Sequence, residues 1–403
     1  MSRLGGHAFA GLISRIEQVH QAIGGRAFGS IGPVSAPVRI VHDLVARGAY
    51  RAVGSAGSAA GALGGEAASL VGAISHLGAT GQPAGSGAVL GVLNAFTGDR
   101  LGPDLAPLAI RMAVRAGGRD VELAPRPVRD AFGDATPKLA VFLHGLAETE
   151  NSWLRQASRS EPYGRRLQAE FGYTPVYIRY NTGRHVSDNG RELARLLDDL
   201  TAVWPTQVLQ ILLVGHSMGG LVIRSACHYG SEDGVPWVRR VRHVFYLGSP
   251  HLGAPLARVA GLAGWALSQV AETRPFADLL TGSSAIKDLR HGYILDDWAA
   301  CDPDGCQHNH RRDVALLPGA SHYVISAVIS ANPESPLGTL VGDLLVQPTS
   351  AHERRGPRQH IPFAVEQTRR HGGMHHFDLL NHPDVWESMR SLLGVTVAAG
   401  TRS

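Results

Sequence analysis

From Pro137 onward the chain alternates short apolar runs with amphipathic stretches, and this alternation restricts the fold more than any other feature. Leu139–Leu143, Thr174–Tyr180, Val208–Val214, Val241–Leu247, Tyr323–Ile329 and Ile361–Gln367 carry the apolar, β-branched or aromatic residues of strands. Ser152–Phe171, Asp188–Trp204, Met218–Tyr229 and Asp378–Leu393 read as helices between or after them. On Asp188–Trp204, Leu193, Leu196, Leu197 and Leu200 share one face. Strands alternating with helices predict an α/β chain, with a mostly parallel central sheet covered by helices on both faces.

Residues 1–118 read differently. They are rich in Gly, Ala and Ser, with helical periodicity in Phe9–Ile23, Val38–Val53, Val89–Phe96 and Leu105–Ala116. The expected organisation is therefore a helical N-terminal extension, 1–118, and a catalytic domain, 119–403, with Val121–Leu123 as a first short strand. Ala67–Gly98 contains no Asp, Glu, Lys or Arg, but His76, Gln82, Pro83 and many Gly and Ser break it up. It is a poor membrane span. Gly57, Gly61 and Gly65 allow close helix packing, in lipid or in water. Residues 1–118 are thus the candidate for peripheral membrane contact. Met1–Gly25 is interrupted by His7, Arg15, Glu17 and His20 and does not read as an export signal, so the expected compartment is the cytoplasm.

Composition narrows the function classes. Over 403 residues, 44% are hydrophobic and 18% charged, which excludes a disordered chain. The net charge is +4 and aromatics are 6%, too weak a field and too few rings for a nucleic-acid surface. No phosphate-binding loop or dinucleotide fingerprint occurs, and no cofactor is implied.

The sharpest local signal is Gly215-His216-Ser217-Met218-Gly219, followed by Gly220. It lies between the strand Val208–Val214 and the helix Met218–Tyr229, where a G-x-S-x-G string has chemical meaning. A serine on so tight a turn has a strained backbone, and glycines two residues away remove side chains that would clash. The Ser217 hydroxyl then projects above the carboxyl edge of the sheet. The Met218 amide, at a helix start, has no helical partner and is a candidate oxyanion donor.

With these residues the chain resembles the α/β-hydrolase superfamily, and within it bacterial lipases and esterases, over roughly residues 137–393. Leu143-His144-Gly145-Leu146, the Ser217 pentapeptide and Leu247-Gly248-Ser249-Pro250-His251-Leu252-Gly253 carry the resemblance, with Tyr180-Asn181-Thr182-Gly183 beside them. It implies an α/β-hydrolase fold and the chain order Ser, Asp or Glu, His. His375-His376-Phe377-Asp378-Leu379-Leu380 is similar to the segment holding the base in lipases, which implies His376, with His375 as runner-up and His382 third. Gly342-Asp343-Leu344-Leu345-Val346 is similar to the segment holding the acid, which implies Asp343. The residue after the His-Gly pair gives the second oxyanion amide in such hydrolases, which implies Leu146 in that role alongside Met218. His144 reads as a ring bracing that loop.

In lipases the stretch after the Gly-Ser-Pro-His segment holds a cap or lid. Here residues 251–320 fill that place, with an ordinary packed insertion as the alternative. Cys301 and Cys306 are suited to a small disulfide or to two free thiols. Zinc, with His308 and His310, is disfavoured by the turn over Asp302–Gly305. The resulting expectation is a serine carboxylic-ester hydrolase acting on apolar, lipid-like acyl esters. An acyltransferase on the same triad and a non-catalytic scaffold for membrane or partner binding are the alternatives.

Overall fold

Eight strands form one sheet in the computed structural model: β1 (Ala113–Ala116), β2 (Arg119–Val121), β3 (Lys138–Leu143), β4 (Thr174–Arg179), β5 (Gln210–His216), β6 (Val241–Leu247), β7 (Ser321–Val328) and β8 (Thr368–Gly372). The order across the sheet is β2-β1-β4-β3-β5-β6-β7-β8. The six strands from β4 to β8 in that order pair parallel; β1 pairs antiparallel with β2 and with β4. The structure describes residues 90–91, 94–95, 98–99, 109–155, 157, 160–253, 283–296, 312–333, 343 and 363–400. The chain divides into two compact units, 1–93 with 101–109, and 94–100 with 110–403. The sheet belongs to the second.

Among the described residues these helices accompany it: α1 (Pro125–Ala131), α2 (Tyr163–Phe171), α3 (Val186–Val203), α4 (Met218–Glu232), α5 (Ser284–His291) and α6 (Pro383–Gly400). Strand side chains alternate between faces, and here both faces are apolar. Leu139, Val141, Leu143, Ile211 and Leu213 face one core with Leu193 and Leu197 of α3 and Leu221 and Val222 of α4. Ala140, Phe142, Leu212 and Val214 face the other, with Leu167 of α2 and Trp386, Met389 and Leu393 of α6. The parallel sheet with helices on both faces is as the alternation predicts.

Five local expectations change. The first short strand, expected at Val121–Leu123, is Arg119–Val121 and comes second, after β1. Leu105–Ala116 does not read through as a helix: Ala113–Ala116 is β1, turned into β2 by Gly117 and Gly118 at φ 56° and 78°. Two consecutive glycines at positive φ are the signature of a tight hairpin turn, and Val114 is buried in the core. The helix expected over Ser152–Phe171 is split into a 3-10 turn, Glu150–Leu154, and α2, because Pro162 sets the new start. The last strand is Thr368–Gly372 rather than Ile361–Gln367, with Val365–Gln367 a 3-10 turn before it. It lies at the sheet edge, every residue half-buried, so it needs no apolar run. The terminal helix starts at Pro383 rather than Asp378, after a 3-10 turn at His376–Leu379 and Asn381 at φ 59°.

The expected cap, 251–320, is described only at 251–253, 283–296 and 312–320, where α5 lies; Cys301, Cys306, His308 and His310 fall outside the described residues, as does nearly all of the expected N-terminal extension. Among the described residues no helix is long and apolar enough to cross a membrane.

Candidate active site

Strand order reverses between β3 and β5: the chain leaves β3 for β4 on one side and returns to β5 on the other. In open α/β sheets a crevice forms at such a point, outside the carboxyl ends of the strands. The loop after β3, His144–Glu148, and the turn from β5 into α4, His216–Met218, meet there.

Ser217 has φ 53° and ψ −121°, an unusual backbone for a residue with a side chain. Its N–H donates to the Leu247 carbonyl at 2.8 Å. The flanking glycines permit the turn. A Cβ on Gly215 would stand 2.5 Å from the Gly220 nitrogen and 2.6 Å from its Cα, and one on Gly219 would stand 2.5 Å from the Leu143 oxygen. These are backbone contacts that cannot swing aside. Gly215→Ala is therefore expected to cost about 1–3 kcal/mol through overpacking, lowering Tm by roughly 3–10 °C for a domain of this size. A thermal melt checks this, and an unchanged Tm contradicts the close contact.

His376 opens the 3-10 turn before α6, and Asp343 is the acid facing it. Nδ1 of His376 lies 2.7 Å from Oδ2 of Asp343, with the side chains 3% and 1% exposed. The His376 N–H also donates to the Asp343 carbonyl at 3.1 Å. A carboxylate accepts, so Nδ1 carries the proton and Nε2 is left as the basic nitrogen. Among the described residues Nε2 has no hydrogen-bond partner, although it is buried. Burial pushes the His376 pKa down, but the charge and hydrogen bond of Asp343 outweigh it and hold it above the usual imidazole value.

The other two histidines stand apart from this pair. His375 is 55% exposed and faces Asp378 at 3.1 Å. His382 accepts from the Asp384 N–H at 3.2 Å. Asp343 is brought to His376 despite the long connection after β7.

Ser217 and His376 are linked by shared neighbours. The rings of His216 and His376 are 4.7 Å apart between centroids. Leu247 and Gly248, at the end of β6, touch one each: Leu247 accepts from Ser217, and a Cβ on Gly248 would stand 3.0 Å from Cε1 of His376.

The loop after β3 leaves the Leu146 amide over. Gly145 N–H donates to Oε2 of Glu148 at 2.7 Å, Ala147 N–H to Oγ1 of Thr182 at 3.2 Å and Glu148 N–H to the Gly145 carbonyl at 3.2 Å. Neither the Leu146 nor the Met218 N–H donates to any acceptor among the described residues. A Cβ on Gly145 would stand 3.0 Å from Cβ of Ser217, so this loop lies against the serine. His144 braces it: its ring stacks on Tyr180 at 4.5 Å, and its carbonyl accepts from the Tyr180 hydroxyl at 2.7 Å.

Sequence reasoning missed Glu148. Its Oε2 accepts from Gly145 and lies 3.0 Å from Nδ1 of His216. Burial raises its pKa, but the charge and hydrogen bond of His216 and the Gly145 amide more than reverse this, bringing it to about 2. A signal did exist: a Glu three residues after Gly145 can reach back to its N–H, as in a capping box. Glu150 was also unforeseen. Its buried carboxylate takes Nε of Arg115 at 3.0 Å and Nη2 of Arg179 at 2.6 Å, tying β1 and β4 to the loop after β3.

The family described as PGAP1-like alpha/beta domain matches residues 164–263, a stretch that includes Ser217. No curated protein matches. Among solved structures, the chain is similar to the mature form of the lipase BlEst2 from Bacillus licheniformis, at 20% identity and TM-score 0.42 over 63% of this chain and 91% of that one. It is similar to the phospholipase PlaB from Legionella pneumophila at 14% identity and TM-score 0.39, over 63% of this chain and 59% of that one. It is similar to a metagenomic carboxyl esterase at 16% identity and TM-score 0.37, over 63% of this chain and 76% of that one. With its mostly parallel eight-stranded sheet and the match over residues 164–263, the fold of this chain is of the α/β-hydrolase type.

Proposed function

We propose that the chain is a serine carboxylic-ester hydrolase acting on apolar, lipid-like acyl esters. The observation that carries this reading is the Asp343–His376 hydrogen bond, on a buried ring whose Nε2 has no partner among the described residues and which lies 4.7 Å between centroids from the ring of His216, the residue before the strained Ser217. In the proposed reaction His376 Nε2 takes the Ser217 hydroxyl proton as Oγ attacks the ester carbonyl. The carbonyl oxygen becomes an oxyanion held by the Leu146 and Met218 amides. Collapse expels the alcohol, which receives the proton from His376, and leaves an acyl-serine. Water, deprotonated by the same nitrogen, releases the acid. Asp343 holds the ring in the tautomer that keeps Nε2 basic. An alcohol in place of that water gives acyl transfer by the same steps. Peripheral membrane contact through residues 1–118 is proposed on the sequence alone.

A fluorophosphonate probe and a series of p-nitrophenyl esters from acetyl to decanoyl test the reading. The expected result is a single adduct on Ser217 and a kcat/KM that rises with chain length. No adduct overturns the hydrolase. A flat profile or a preference for acetyl overturns the lipid-like substrate.

A further inference from the structure

We propose that Glu148 is a positioning residue for this site, clamping the loop that carries the candidate oxyanion amide to the turn that carries the candidate nucleophile; this rests on the serine-hydrolase reading above. One oxygen, Oε2, makes both contacts: Gly145 N–H at 2.7 Å and Nδ1 of His216 at 3.0 Å. Gly145 is bonded to Leu146, and His216 to Ser217. The clamp therefore acts one residue away from each reacting group, across the β3–β5 reversal.

It reaches the base as well. Nε2 of His216 lies 3.3 Å from the carbonyl oxygen of His376. Both neighbours of the His216 ring, a carboxylate and a carbonyl, are acceptors. Glu148 and His216 thus join three loops: after β3, after β5 and before α6. The side chains are 8% and 0% exposed, and the Trp153 ring packs edge-on to His216 at 6.4 Å between centroids. Water does not compete readily for these bonds. With its pKa near 2, Glu148 carries its charge through the neutral range.

The arrangement also restrains strain. Ala147, between Leu146 and Glu148, has φ 62°, a region costly for a residue with a Cβ. The hydrogen bonds of Gly145 and Ala147 hold this turn and leave the Leu146 amide unpaired. Loss of the Glu148 acceptor frees Gly145 N–H and lets the loop relax, so the Leu146 amide leaves the place where the oxyanion develops.

The test uses Glu148→Ala and Glu148→Gln in the full chain, with kcat, KM and Tm measured on one p-nitrophenyl ester. An oxyanion donor acts in the transition state, so its displacement lowers kcat with KM little changed. Glu148→Ala is expected to lower kcat about 10–100-fold with KM within about twofold, short of the loss for outright removal of a donor. Glu148→Gln keeps an acceptor at the same place and is expected to restore most of that loss. If Glu148→Ala does not fold, Glu148→Asp takes its place: it keeps the charge but retracts the oxygens by one methylene, and the same loss is expected. A kcat within twofold of wild type in the Ala or Asp variant overturns the proposal. So does a rise in KM at unchanged kcat, or an equal loss in the Gln variant accompanied by an equal fall in Tm. Ser217→Ala run in parallel separates the two levels. If it stays active, the hydrolase reading itself fails. If it is inactive while the Glu148 variants match wild type, only the clamp fails.

Discussion

Ser217→Ala is expected to reduce kcat on a p-nitrophenyl ester by roughly 10⁵–10⁶-fold, the scale of losing a triad nucleophile. In the proposed mechanism the residual rate comes from the candidate oxyanion amides and from substrate binding, which the substitution leaves in place. KM is expected to change little, because the hydroxyl contributes to the bond being made rather than to holding the acyl chain. The fold should survive. Ser217 adopts φ 53°, and alanine carries the same Cβ into the same strained backbone, so the cost already present is kept rather than increased. The side chain makes no hydrogen bond to other described residues that the substitution would break. Tm is therefore expected within a degree or two of wild type on the usual scale of neutral substitutions. The measurement is kcat from steady-state rates together with a thermal melt. Activity above about a hundredth of wild type, from protein free of contaminating esterase, contradicts Ser217 as the nucleophile on this scale. Loss of activity with a collapsed Tm contradicts the argument about strain.

The serine turn was legible in the sequence because its constraint is local. Gly215 and Gly219 are glycine since backbone atoms lie 2.5 Å from where their side chains would begin, and a pattern of five residues records this. The central strands were legible because both faces are buried, so an unbroken apolar run is their only solution. Legibility fell wherever burial was partial. β8 is Thr-Arg-Arg-His-Gly, an edge strand held by pairing with β7 rather than by apolar side chains, and the more apolar stretch before it drew the strand assignment. Asp343 and His376 were reached through resemblance, and nothing in their spacing requires the 2.7 Å contact. Glu148 was missed for a further reason. Its partner His216 lies 68 residues away, across a crossover that reverses strand order, and only the folded sheet brings them together. The i, i+3 spacing from Gly145 marks a local hydrogen bond at most, and nothing in it points to His216.

Asp343→Asn is expected to lower kcat about 10⁴-fold, as for loss of the orienting carboxylate in established Ser-His-Asp triads, and to move the acidic limb of kcat/KM to lower pH. The direction follows from what surrounds His376. Burial favours the neutral ring and lowers its pKa; the Asp343 carboxylate and its hydrogen bond, with a smaller contribution from Glu148, raise it and prevail. In the proposed mechanism only the neutral ring accepts the Ser217 proton. Activity is thus lost as pH falls through this pKa, and the wild-type limb is expected above pH 6.5, the ordinary imidazole value. Asparagine removes the charge that favours the imidazolium but leaves the burial, so the limb falls. The amide can also turn its NH₂ toward Nδ1, which then accepts a hydrogen bond and forces the proton onto Nε2. That tautomer cannot act as the base, which is why kcat drops at every pH instead of recovering above the limb. A profile from pH 4 to 9 for wild type and Asp343→Asn separates the two effects. A limb that stays in place, or rises, means that the charge next to His376 is not what sets its affinity for protons. Full recovery of kcat at high pH means that Asp343 tunes the ring without selecting its tautomer.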